Sequence, residues 1–348
     1  MIKYITPVRL DAASGLVGDV YNQIKCDFGA VVEPFSVHSV SPRLLAAVWA
    51  TCRESELVGV VPREIKEAVA VTISKINGCT YCVDAHLVML HALSAHSTAR
   101  ELAHDRPDRQ SAWSPAIFAR ASEICGTRSA GPASSLVGQE VSEMIGTVLF
   151  FQYINRIVTV LLDDTPLPFS QRWLRGIMMR SGGWLHFFAA RRPKTPGASL
   201  AFLPDAPLPE DLAWASASAT LAGALARLAH EIEREGNAAL PPPTIAFASE
   251  YIQKWEGDAH GIDRDSLEAA ITRLGPDQSS AARLVLLTAL APHEVDEAII
   301  CAFADPQHDQ QKLLGALSWA SFTAARRIGS WLAAGAGGSP STLEISLQ

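Results

Sequence analysis

Across the 348 residues, apolar side chains recur at intervals of three and four almost everywhere, while alternating runs bounded by turn residues are nearly absent. That period belongs to the α-helix, which gathers such positions on one face. The chain is therefore predicted to be all-α. The pattern and its punctuation predict helices over 12–25, 42–56, 62–76, 79–93, 114–124, 138–162, 209–234, 241–255, 265–274, 279–290, 293–303 and 309–333. Pro62 suits the first turn of a helix, and Asn77-Gly78 supplies a stop before the next one.

Hydrophobic residues make up 48% of the chain, ample for a large core, and the length exceeds that of one typical domain. The formal net charge is −7, and the basic residues are scattered apart from Arg191, Arg192, Lys194 and the pair Arg326, Arg327. No footprint for nucleic acid is present. Residues 1–15 hold Lys3, Arg9 and Asp11 without a continuous apolar run, unlike a signal peptide. The apolar stretch 144–162 is interrupted by Gln152, Asn155 and Arg156, and a charge there would be costly in lipid. It reads as a buried helix, no membrane partner is expected, and the cytoplasm is the expected compartment.

A weak internal repeat runs through the chain. The segment opening at Ser41, followed by a helix opening at Pro62, has a counterpart opening at Ser218, followed by a helix opening at Pro241. Tyr153-Ile-Asn-Arg-Ile likewise parallels Ala324-Ala-Arg-Arg-Ile. This organisation predicts a first domain over 1–165, a junction with short helices over 166–207, a degenerate second domain over 208–335 and a loose tail over 336–348. Aligning Pro62 with Pro241 sets Ala246 opposite Glu67, so any chemistry belongs to the first half.

Six cysteines are spread over the chain. Cys26, Cys52, Cys125 and Cys301 stand alone and read as small core hydrophobes. Cys79 and Cys82 are different. In a helix from Cys79 onward, about 100° per residue puts Cys79, Cys82 and His86 within a sector of roughly 60°. An i,i+3 pair at a helix start can close a disulfide, and a helix N-terminus with a neighbouring imidazole lowers a thiol pKa. A turn at Asn77-Gly78 would fold the preceding helix back and bring the Glu67 carboxylate toward the thiols. Half a zinc site is the competing reading, but no second Cys-x-x-Cys or paired-histidine motif follows. Neither a metal nor a cofactor is expected. Tyr81 points away from the cysteine face and reads as packing, and His91, His96 and His104 read as solvated loop and helix-end residues.

The string from Glu67 to His86 resembles the core motif of the alkylhydroperoxidase D-like and carboxymuconolactone decarboxylase superfamily, whose redox-active branch has a glutamate twelve positions before Cys-x-x-Cys-x-x-x-His. Glu67, Cys79, Cys82 and His86 match all four positions. Phe151-Gln-Tyr-Ile-Asn-Arg-Ile is similar to the helix that closes the family domain. The resemblance implies an all-helical, duplicated bundle, homo-oligomerisation, and reduction of a hydroperoxide substrate through the cysteine pair. Carried over, it implies Cys82 as the peroxide-attacking cysteine, Cys79 as its resolving and disulfide partner, and Glu67 with His86 as a proton relay. An unidentified dithiol would restore the pair. Tyr81 stands where some family peroxidases have histidine and is a possible accessory residue. The competing functions are a dithiol–disulfide oxidoreductase and a non-catalytic helical scaffold.

Overall fold

The computed structural model describes residues 1–105, 118, 138–163, 187–189, 191–257, 264–272 and 274–337. Its helices are α1 (Gly15–Phe28), α2 (Pro42–Cys52), α3 (Arg63–Ile76), α4 (Thr80–Ala92), α5 (His96–His104) and α6 (Gln139–Leu161), then α7 (Ala219–Ala239), α8 (Pro242–Lys254), α9 (Arg264–Ile271), α10 (Pro276–Leu290), α11 (Glu297–Phe303) and α12 (Gln310–Gly337). Among the described residues there is no strand, only a lone antiparallel bridge between Ile2 and Leu162. The fold is all-α, as the periodicity requires.

Departures from the predicted boundaries have local causes. The helix predicted over 42–56 ends at Cys52 and continues as a π-helical turn, Arg53–Leu57. The helix predicted over 209–234 is a 3-10 stretch, Glu210–Ala217, followed by α7, because Ser218 is extended between them. The one predicted over 293–303 is split by Asp296, whose extended backbone and side chain, accepting from Ile299 N, start α11 afresh. The single turn Glu33–Ser36 and α5 were not legible in the pattern. The predicted helix 114–124 apart from Phe118, Cys125, residues 166–186 and 190 of the expected junction, and nearly all of the expected tail lie outside the described residues.

Helix α6 is long and apolar enough to cross a membrane, yet 94% of its most apolar window is buried inside the protein. Its Arg156 is satisfied internally, donating to Ala289 O at 2.7 Å and to Gln152. α6 lies against α12 and α3, and α12 in turn against α7 and α10. A second seam joins α2 to α7. Both seams pair helices that correspond in the sequence repeat. The corresponding helix starts also share backbone geometry: Ser41 has φ −125°, ψ 93° and Ser218 φ −121°, ψ 99°, while Pro62 has φ −54°, ψ 133° and Pro241 φ −61°, ψ 139°.

Candidate active site

The site is built on the hairpin of α3 and α4. Asn77 caps α3, and Gly78 takes φ 70°, a left-handed conformation that a residue with a side chain adopts at a cost. The reversal is sealed by Cys79 N donating to Ser74 O at 2.9 Å. Cys79 thus becomes the N-cap of α4 rather than its first helical residue. Cys82 follows inside the first turn, and the two sulfurs lie 2.6 Å apart, poised for closure. A helix start would leave Cys79 at an exposed first turn, with Cys82 one turn inside. Both are buried, at 3% and 4% exposure, because α4 packs on α3 and α6.

Glu67 meets His86, where the turn at Asn77-Gly78 was expected to bring its carboxylate toward the thiols. Glu67 is fully buried on α3, and its Oε2 lies 2.7 Å from His86 Nδ1. One turn earlier on α3, Arg63 donates Nε to Glu67 Oε1 at 3.0 Å. Phe151 of α6 stands edge-on to the imidazole, with ring centroids 4.6 Å apart. Among the described residues, neither sulfur is hydrogen-bonded to His86. The ring instead turns Nδ1 toward carboxylates.

A residue that the sequence did not single out completes the cluster. Glu56, 1% exposed on the π-helical turn, sets Oε1 3.4 Å from His86 Nδ1. Its Oε2 accepts from Cys52 Sγ at 3.5 Å. The available signal was the run Arg53-Glu54-Ser55-Glu56, four polar residues inside an otherwise apolar helical pattern. All four are buried.

The electrostatics follow from this crowding. Burial alone would lower the pKa of His86, but Glu56 and then Glu67 outweigh it and push the imidazole up to about 10. Burial and the neighbouring Glu56 raise Glu67. Glu56 moves the other way, because His86 overcomes its burial. The crowding thus shifts Glu56 toward its ionised form and Glu67 away from it. In the thiol pair, burial opposes ionisation of Cys79, but the Cys82 thiol and backbone N–H lower its pKa. Burial and the Cys79 sulfur raise Cys82. The resting negative charge favours Cys79.

Neighbouring groups hold this centre in register. Tyr81 is packed as expected, and its hydroxyl donates to Glu33 Oε2 at 2.7 Å. Lys66 and Glu143 form a fully buried ion pair at 2.9 Å, and Lys66 also donates to Val58 O. Glu143 accepts from Val60 N and Val61 N, fixing the link between the π-helical turn and α3. His91, His96 and His104 fall at the ends of α4 and α5, where His91 Nδ1 and His96 Nδ1 lie 2.8 Å apart; among the described residues they join no cluster of three or more ligand atoms. Cys52 is buried, but Cys26 and Cys301 are exposed, against the expectation that isolated cysteines fill the core. Cys26 lies on α1 beside Arg192, 3.0 Å from its guanidinium, and Cys301 occupies the outer face of α11.

The ligand atoms of Glu56, Glu67 and His86 all lie within 4.8 Å of one another.

A buried thiol pair at a helix start, beside a carboxylate–imidazole cluster in an all-helical bundle, fits the class of alkylhydroperoxidase-like enzymes. The chain belongs to the carboxymuconolactone decarboxylase family, in its alkylhydroperoxidase D-like grouping. The carboxymuconolactone decarboxylase family model matches residues 42–104, which include Glu56, Glu67, Cys79, Cys82 and His86. The chain is 38% identical over 338 residues to a Mycobacterium tuberculosis protein named alkyl hydroperoxide reductase, covering 97% of this chain and 96% of that one. No solved structure matches it.

Proposed function

We propose that the protein is a thiol peroxidase that reduces hydroperoxides through Cys82 and Cys79. The observation that carries this reading is a sulfur pair 2.6 Å apart at the start of α4, with the Glu67–His86 ion pair near enough for His86 to act on Cys79. The name of the mycobacterial relative, similar along nearly the whole chain, supports it.

In this proposal Cys82 attacks the distal oxygen of the peroxide. The Cys79 thiolate, 2.6 Å away, takes its S–H proton, a transfer against the order of acidity of the two thiols that proceeds only as the S–O bond forms. The O–O bond breaks, the oxygen bonded to sulfur becomes a sulfenic acid, and the leaving oxygen takes a proton from the His86 imidazolium. Cys79 then displaces water from the sulfenic acid and closes the disulfide, which prevents further oxidation. A dithiol reductant, becoming a disulfide itself, returns both thiols. Such a cycle suits the cytoplasm, and a homo-oligomer is part of the same proposal.

Dithiol–disulfide exchange with a protein is the second reading. Burial of both sulfurs favours a small peroxide over it. Single-turnover trapping with dimedone tests the assignment. Cys82→Ser should abolish peroxide consumption, whereas Cys79→Ser should react once, more slowly, and leave a trappable sulfenic acid on Cys82. An adduct on Cys79 in Cys82→Ser, with none on Cys82 in the reciprocal variant, would reverse the roles.

A further inference from the structure

Building on that peroxidase reading, we propose that Glu56 is a positioning residue of the proton relay, the second carboxylate that keeps His86 protonated at neutral pH for delivery to the leaving oxygen. A proton donor must still hold its proton at the working pH, and an ordinary imidazole, with a pKa of about 6.5, is mostly neutral there. Glu67 holds the shorter contact to His86, at 2.7 Å, but part of its charge is met by Arg63 on its other oxygen. Arg63 also acts on Glu56, but His86 is the larger influence there. Its Oε1 is buried, accepts no hydrogen bond, and lies 3.4 Å from His86 Nδ1.

The backbone makes this arrangement specific. A π-helical turn inserts a residue into a helical path, and such turns often occur at functional sites. Here Arg53–Leu57 carries Glu56 inward at the end of α2, while its neighbours are tied off elsewhere. Arg53 pairs with Asp27 at 2.7 Å, and Glu54 accepts from Gly197 N at 2.9 Å.

The ionisable groups around His86 come from three directions. Glu56 and Cys52 approach from the π-helical turn and α2, Glu67 and Arg63 from α3, and Cys79 from its own element. α6 contributes the Phe151 ring, which carries no charge. Cys52 is pushed well above the ordinary thiol range by burial and Glu56, so it stays neutral and offers Glu56 an S–H donor. With these groups in place, the Nδ1 side of the ring is held by carboxylates.

The test is an NMR titration of His86 in the full-length reduced protein, assigned by loss of its signal in His86→Gln, alongside peroxide consumption as a function of pH. In Glu56→Gln, the His86 titration should move down by at least about one pH unit, and the alkaline limb of the peroxide reaction should move with it. Glu56→Asp should recover part of the shift. An unchanged His86 titration in Glu56→Gln would overturn the assignment. Should Glu56→Gln fail to fold, Glu67→Gln provides the check, since His86 should then still titrate above about pH 8. A fall there to the ordinary imidazole value would also overturn the assignment. A wild-type protein inert to peroxide would refute the peroxidase reading alone, because the titration is read without turnover.

Discussion

At His86 two carboxylates compete for one ring nitrogen, and that contest governs how the site responds to pH. The folded pKa of about 10 lies above the ordinary value of 6.5. The ion pair therefore stabilises the fold fully below about pH 6.5, and this stabilisation is lost as pH rises toward 10. The melting-temperature gap between wild type and His86→Gln should thus be widest near pH 6 and narrow by pH 10; a constant gap would contradict the ion pair. Cys79, Cys82 and His86 were legible from a helical wheel, and Glu67 from the turn signal taken together with the family motif. Glu56 was not. On a regular continuation of α2 it is one more helix-face charge, and only the extra residue of the π-helical turn aims it at the imidazole.

The elements around the site explain how so much charge is kept in a buried place. Lys66 and Glu143 neutralise each other beneath the link from the π-helical turn to α3, and two backbone N–H groups of that link complete the Glu143 carboxylate. Gly59 allows this closeness. Its φ is 116°, and an added Cβ would fall on the Glu143 carboxylate. Gly59→Ala should destabilise the protein by about 1–3 kcal/mol from backbone strain alone, measured by urea unfolding, and should slow the peroxide reaction by displacing the turn that bears Glu56. Unchanged stability would contradict the account of the link. Most helices were legible to within a few residues, since proline starts and Asn77-Gly78 mark their ends. The breaks at Ser218 and Asp296 were not, because the apolar period continues across both while the backbone turns extended.

At the scale of the whole molecule, the two halves meet through helices that match in the sequence repeat, α2 with α7 and α6 with α12. The matched helix starts at Ser41 and Ser218, and at Pro62 and Pro241, support a duplication in which the second half covers the first and has lost its dithiol. In this reading α12 buries the outer face of α6, so that α6 can present Phe151 to His86 from a rigid base. The family is read most clearly from the first half, where the chemistry was kept. The most direct test of the central claim is peptide mapping of the reduced protein after one equivalent of hydroperoxide. The account predicts loss of two thiols, a two-hydrogen mass loss within the single peptide that holds Cys79 and Cys82, and one equivalent of alcohol. Cys79 and Cys82 both remaining alkylatable, with oxidation confined to the exposed Cys26 or Cys301, would contradict it.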